Sequence, residues 1–306
     1  MIINLKQYHR AMKIKIWIFL KRLYQALPFK LGIFKFIRFW TIPSFSIRKR
    51  LGFTGIVSVN LPDGQKANMM NYDYDFLTDY FWFHGESDWD KVSLKLWFNL
   101  SKKAEIILDI GANIGIYAVF AQMAQPNAQV IAFEPQPNIF DRLCQNSQLN
   151  RLNIICEPIA LSDKTEKARF YNGGYQPFLT NSTSGTLNSE FHRTNQDFIE
   201  VDCMTLANYI EKKNLPKIDL MKIDVESLEL QVLNGMGSYL AQYKPRVIIE
   251  ILNDEIGIVI QKIFSDLGYH FFYIDEKKGL TKVENLSGRT FFNYFLTPKS
   301  EDLHIN

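Results

Sequence analysis

A β-branched and apolar run, Ile106-Ile-Leu108, ends in Asp109 and passes at once into Ile110-Gly-Ala-Asn-Ile-Gly115. Such a run suits a strand buried on both faces, and the small and apolar stretch from Ile114 to Gln125 suits a helix packed on a sheet. Few residues are left between them for the turn. Gly111 can take a positive φ without a Cβ clash, and Asn113 is among the few other residue types that tolerate the left-handed region. The spacing predicts a strand–turn–helix unit whose free N–H groups and positive helix end attract an acidic group. It reads as a nucleotide-type cofactor site.

The next strand, Gln129–Phe133, runs into Glu134, a carboxylate one βαβ unit after Asp109 and able to accept hydrogen bonds from both hydroxyls of a ribose. A G-x-G-x-x-G series starting at Gly111 would need glycine where the chain has Asn113 and Ile116, so the dinucleotide fingerprint is broken. An acid at Asp109 is unfavourable beside a pyrophosphate and favourable beside a sulfonium ligand carrying an α-amino group. These residues favour S-adenosylmethionine over a nicotinamide cofactor. A plainer reading, in which Asp109 caps a helix and the glycines only permit close packing, explains either acid alone better than it explains both.

The blocks Leu108–Tyr117, Ala132–Pro137, Ile159–Asp163 and Ile218–Glu226, followed by Glu229 and Val232–Gly235, together resemble the FkbM family of S-adenosylmethionine-dependent methyltransferases across roughly residues 100 to 255. The first block fits many methyltransferases; Lys222-Ile-Asp-Val-Glu226 is more particular to this family. The resemblance implies that Gly111, Asn113 and Gly115 enclose the methionine part of the cofactor. It also implies that Glu134 holds the ribose with Gln136 beside it, and that Ala160, Leu161 and Ser162 lie near the adenine. Sugars, glycans, glycolipids and secondary metabolites are the acceptors it suggests, methylated on oxygen, with nitrogen and carbon acceptors open. Ser227 stands where the family usually has glycine. If that glycine permits a special backbone angle, serine points to a re-shaped acceptor side.

Strands and helices alternate from residue 106 onward, which argues for a mostly parallel sheet with helices on both faces. The last two strands, near 269–274 and 290–296, lack a helix between them, so the final strand returns antiparallel. The expected architecture is a Rossmann-like class I methyltransferase fold of seven strands over residues 101–306, preceded by a helical and hairpin extension over 1–100. Asn172 to Asp197 is a long polar insertion, of the length that often forms a lid or binding loop. It brings His192 and Arg193 toward the acceptor side.

Ligands of open α/β sheets bind at the carboxyl ends of strands, where Asp224, Glu226 and Glu250 also fall. A hydroxyl acceptor loses a proton as the methyl bond forms, so a carboxylate or histidine is needed nearby. Asp224 is expected to position the acceptor or act as base, with Glu226 second and His192 third. Lys222 is placed to pair with one of the acids. Caps at the start of the following helix would account for Asp224 and Glu226 without catalysis. Carboxylate oxygens could hold a divalent ion, but no spacing requires one, and no metal is expected.

Charge is distributed unevenly. Residues 1–50 carry 12 Lys or Arg and no acid, the first acid being Asp63, within an overall charge of +3. Aromatic and aliphatic residues interleave with these cations, and no apolar run approaches the roughly 20 residues of a membrane span. Packing on the catalytic domain or on a second subunit as a homodimer suits such an arm, and so does peripheral contact with a membrane. A nucleic-acid partner is not expected. Cys144, Cys156 and Cys203 show no paired or metal-ligand spacing, which fits a reducing, cytoplasmic setting, with the inner membrane face as the other station. The rivals to a methyltransferase are a nicotinamide-dependent sugar enzyme and a non-catalytic membrane-attached binding protein.

Overall fold

The computed structural model describes residues 23–24, 27–73, 75–84, 90–172, 185–187 and 198–298. They fall into two compact units, one within Met1–Val59 and Met69–Gly85, the other within Asn60–Asn68 and Glu86–Asn306. His192, Arg193, most of the Asn172–Asp197 insertion and the first 22 residues of the basic arm lie outside the described residues.

The first unit contains α1 (Lys30–Trp40), α2 (Phe45–Leu51) and α3 (Phe76–His84); the expected hairpin of β1 (Gly55–Asn60) and β2 (Lys66–Asn71) is divided, its tip Asn60–Asn68 belonging to the second unit. Phe34 is the buried residue of α1; its ring meets Phe53 at 5.0 Å and Phe83 at 6.0 Å between centroids. Arg48 of α2 pairs with Asp79 of α3 at 3.0 Å, both side chains buried.

After that hairpin tip the second unit resumes with α4 (Lys91–Ser101), which sequence alone places before a boundary at residue 100. It continues through β3 (Ile106–Ile110), α5 (Ile116–Ala124), β4 (Gln129–Phe133), α6 (Pro137–Leu149) and β5 (Ile155–Glu157). The chain then leaves the main sheet. β6 (Ala160–Ser162), β7 (Glu166–Asn172), β8 (Gly185–Thr186) and β9 (Phe198–Thr205) form a separate sheet in the order β6-β9-β7-β8. Two helices not expected from sequence follow in this half, α7 (Leu206–Lys213) and, after β10 (Leu220–Ile223) and α8 (Glu229–Met236), α9 (Ser238–Tyr243). The unit closes with β11 (Arg246–Glu250), α10 (Asp254–Asp266), β12 (His270–Asp275), β13 (Gly279–Val283) and β14 (Asn293–Thr297).

The main sheet runs β13-β12-β14-β11-β10-β3-β4-β5, parallel from β5 to β11, with β14 antiparallel to both β11 and β12. This is the expected Rossmann-like order with an antiparallel last strand. One strand is added: β13 pairs with β12 inside the connection between the last two expected strands. Strand order reverses between β3 and β10, so the switch point lies between the ends of those two strands.

Alternation assigns the two faces. Leu108, Ile110, Met221, Ile223, Val247 and Ile249 join the core formed with α7, α8, α9 and α10. Asp109, in register with Lys222 on one side and Ala132 on the other, projects to the opposite face. There α4 and α5 pack, and the Trp97 indole donates to the Tyr117 carbonyl at 2.9 Å.

Candidate functional site

The turn after β3 is held by its neighbours. Gly111 N and Ala112 N both donate to the Phe133 carbonyl at the end of β4, at 3.1 and 2.9 Å. On the other side Asp224 N donates to the Ile110 carbonyl at 3.0 Å, extending the β10 ladder across the switch point. Gly111 sits at φ +80°, and a Cβ there would overlap the Asp224 carbonyl oxygen. Asn113 takes φ +54°, with its side-chain oxygen accepting from Ile114 N at 2.8 Å, and Gly115 precedes α5 at φ +88°.

Glu134 closes the turn from the β4 side. Its two carboxylate oxygens accept from Asn113 N at 3.0 Å and from Gln136 N at 2.9 Å, and each keeps a second lone pair for a ligand. Burial lifts its pKa to about 7, with the Gln136 and Asn113 amides opposing the rise. Gln136, buried, immediately precedes α6. Asp109 shares this face of the sheet but is fully enclosed at 0 % exposure, and neither of its oxygens has a hydrogen-bond partner of good geometry. Burial raises it to about 6, with the Lys222 ammonium opposing. It therefore underlies the turn instead of lining an open surface.

Lys222 is the buried cation of the site. Its ammonium lies 2.6 Å from an Asp224 carboxylate oxygen and 4.4 Å from the centre of the Tyr117 ring. Burial pulls its pKa down, but Asp224, Asp109 and Asp90 outweigh that and leave it above the ordinary lysine value. Tyr117 in turn donates to Asp90 at 3.0 Å, and the Asn293 amide donates to the other Asp90 oxygen at 3.3 Å. A second carboxylate group lies beyond Asp224. Burial lifts Glu226 to about 7, helped by the charge of Asp224, and burial with Asp224, Glu226 and Glu229 raises Glu250. Asp224, with a side chain 38 % exposed, is the open member.

Glu226 and Ser227 are consecutive left-handed residues at φ +52° and +77°. The position where the family usually has glycine thus does demand a glycine-like backbone angle, which serine adopts here at a cost of about 1 kcal/mol. Glu229 stabilises the bend: one of its oxygens accepts from Val225 N at 3.3 Å and Ser227 N at 3.2 Å, while the other is buried without a partner. Burial raises its pKa to about 7. The native state then holds a proton that the unfolded chain releases near pH 4.5, so this contribution is complete below that pH and is lost as pH rises through 7. Glu229→Gln is expected to unfold in urea like the parent near pH 4.5 and to be more stable at pH 8 by about 3 kcal/mol. Equal stabilities at pH 8 would contradict a buried, proton-holding Glu229.

The residues expected near the adenine lie on another sheet. Ala160, Leu161 and Ser162 form β6 of the second sheet: Ala160 packs with Phe170 and Val201, Leu161 joins the main core, and the Ser162 hydroxyl bonds Asp163 at 3.3 Å. Among the described residues no hydrogen bond or ion pair joins them to Asp109 or Glu134. The described residues contain no group of three or more His, Cys, Asp or Glu side chains arranged to hold a metal ion. Asp90 and Tyr117 were not marked by sequence, since a lone acid ahead of a helix and a tyrosine within one carry no spacing signal.

Residues 109–271, more than half of the chain, match the family model described as the methyltransferase FkbM domain. The chain belongs to the FkbM methyltransferase family. The matched FkbM region contains every described acid of the site except Asp90. The chain is 30 % identical to the hexuronic acid methyltransferase AglP of Haloferax volcanii over 159 residues, covering 52 % of this chain and 60 % of that protein. It is 28 % identical to the 31-O-demethyl-FK506 methyltransferase FkbM of Streptomyces tacrolimicus over 220 residues, 61 % of this chain and 82 % of that one. A third relative is the 2-O-methyltransferase NoeI of Sinorhizobium fredii, 30 % identical over 145 residues, 44 % of this chain and 59 % of that one. The chain thus spans about three fifths of the length of AglP and NoeI.

Proposed function

We propose that this FkbM domain methylates a hydroxyl oxygen of a sugar, glycan, glycolipid or secondary metabolite, with S-adenosylmethionine as donor. The observation that carries this reading is the arrangement of carboxylates about the β3–β10 switch point: Glu134 with free lone pairs on one side, Asp224 and Glu226 on the other. The relatives named for a hexuronic acid, a 31-O position and a 2-O position support oxygen as the acceptor atom.

The residues present fit the donor. S-adenosylmethionine, when bound, supplies an electrophilic methyl group on a sulfonium. Glu134 can accept from ribose hydroxyls through its unused lone pairs, and Gln136 stands beside it. The enclosed carboxylate of Asp109, opposed by the Lys222 ammonium, lies beneath the turn, where its negative charge favours a cationic ligand above it.

For the acceptor, in-line transfer demands alignment and exclusion of water. Asp224, fixed by Lys222, is suited to receive an acceptor hydroxyl as a hydrogen-bond donor. Glu226 is suited to remove the proton, because a carboxylate near pKa 7 is partly ionised at neutral pH and still basic. His192 remains a third candidate from sequence.

Incubation with methyl-labelled S-adenosylmethionine and hydroxylated glycan or metabolite extracts is expected to yield labelled, methyl ether products detected by mass spectrometry. The rate should rise with pH through about 7, because burial raises the base and only its deprotonated form accepts a proton. Glu226→Gln should lose that rise. Label on nitrogen or carbon, or a pH profile unchanged by Glu226→Gln, would refute the corresponding part. S-adenosylhomocysteine is also expected to raise the melting temperature and NADH to leave it unchanged; the reverse would favour a nicotinamide enzyme.

A further inference from the structure

Within the first unit, α1 turns its apolar side the wrong way for a globular helix. Phe34 is buried, with Lys30, Leu31 and Ile37 half-buried beside it, so one face is already spent on packing. The opposite face is also apolar. Phe29, Ile33, Phe36 and Trp40 recur at helical spacing and are 77 %, 37 %, 70 % and 72 % exposed, with Phe39 next to them at 80 %. Four exposed aromatics on eleven or so residues form a patch of the kind that marks an interaction surface.

Charge identifies the occupant. Lys35 and Arg38 of α1 are exposed and no acid occurs between residues 27 and 60, so a second copy meeting this face would set cations against cations. An anionic surface is complementary. Phenylalanine and tryptophan flanked by lysine and arginine suit the boundary between headgroups and acyl chains. Lys35 is exposed beside Phe36, and no described helix is long and apolar enough to cross a membrane. We infer that α1 lies in the interface of an anionic lipid bilayer, with Phe29, Phe36, Phe39 and Trp40 inserted and the exposed Lys35 at the headgroups.

The full-length chain is expected to sediment with vesicles of equal parts phosphatidylcholine and phosphatidylglycerol, weakly with phosphatidylcholine alone, and less as salt is raised. Phe36→Ser, Phe39→Ser and Trp40→Ser combined should lower the vesicle-bound fraction constant at least tenfold without changing the melting temperature, since all three are exposed. Ile258→Ser, at an equally exposed apolar position on α10, should leave binding unchanged. No sedimentation of the parent with anionic vesicles, or equal binding by the triple variant, would overturn the inference. So would a parent dimer in ultracentrifugation that the triple variant dissolves without any vesicle binding, which would assign the face to a second copy.

Discussion

Alanine at Gly111 is expected to leave little folded or active enzyme, whereas alanine at Gly268 should cost about 1 to 2 kcal/mol and leave methyl transfer intact. The two glycines share a positive φ, +80° and +78°, so each sets a similar penalty on a side chain from that angle. Their surroundings differ. A Cβ at Gly268 meets nothing within 4 Å, while one at Gly111 would occupy the place of the Asp224 carbonyl oxygen. That oxygen belongs to backbone, and the Asp224 amide is tied to the Ile110 carbonyl, so neither side can yield without parting β3 from β10. A loss beyond about 4 kcal/mol is the range reached by severe steric mechanisms of this kind. Urea unfolding and methyl-transfer rates for both variants check the comparison. Similar losses in the two proteins would mean that close approach at the switch point is not what requires glycine.

The same strand end shows what the chain's order of residues reveals and what it conceals. Ile106 to Gly115 could be interpreted unaided because each signal is local: a β-branched run, a residue able to turn left-handed, an apolar helix. The parallel sheet and its antiparallel ending follow from alternation, which is likewise written along the chain. The departure of β6 from the main sheet is not local. Ala160-Leu-Ser162 reads as a continuation after β5, yet it pairs with β9 some forty residues later, so Leu161 and Ala160 become core residues of two different layers. The helix α7 did carry a signal, with Thr205 capping Asn208 N at 3.1 Å and Leu206, Tyr209 and Ile210 buried at helical spacing. Its eight residues were too few for periodicity to stand out. In β13, Gly279 to Val283 is half-exposed and lacks the apolar alternation that marks a covered strand.

Among the site residues, the acids at strand ends could be listed from sequence, but their roles depended on depth. Asp109 lies on β3 and Asp224 just past the end of the neighbouring β10; one is enclosed and the other open. Register decides this, because Asp109 stands opposite Lys222 within the ladder and Asp224 lies just past it.

Lys222→Met is accordingly expected to destabilise the protein by about 2 to 3 kcal/mol at pH 8, because the enclosed Asp109 must then keep a proton that it releases near pH 6 in the parent. The methionine conserves much of the lysine's volume, so lost packing accounts for little, while the ammonium's contact with the Tyr117 ring is lost with the charge. The burden falls on Asp109, which is wholly enclosed and has no hydrogen bond of good geometry to replace the ammonium. Its pKa, already raised by burial to about 6 with Lys222 opposing, must climb further in the variant. A buried acid raised in this way stabilises most below its unfolded pKa of about 3.9 and loses that stability as pH rises through the folded value. Removing the ammonium extends the loss to higher pH. The gap between variant and parent should therefore be small at pH 5 and widest at pH 8. Asp109→Asn combined with Lys222→Met removes both charges, and the pair should be more stable at pH 8 than Lys222→Met alone. Denaturant unfolding of the three proteins at both pH values tests this. A gap that does not change with pH, or a double variant no better than the single, would place the stabilising charge pair elsewhere, with Asp224 at the open edge as the remaining partner of Lys222.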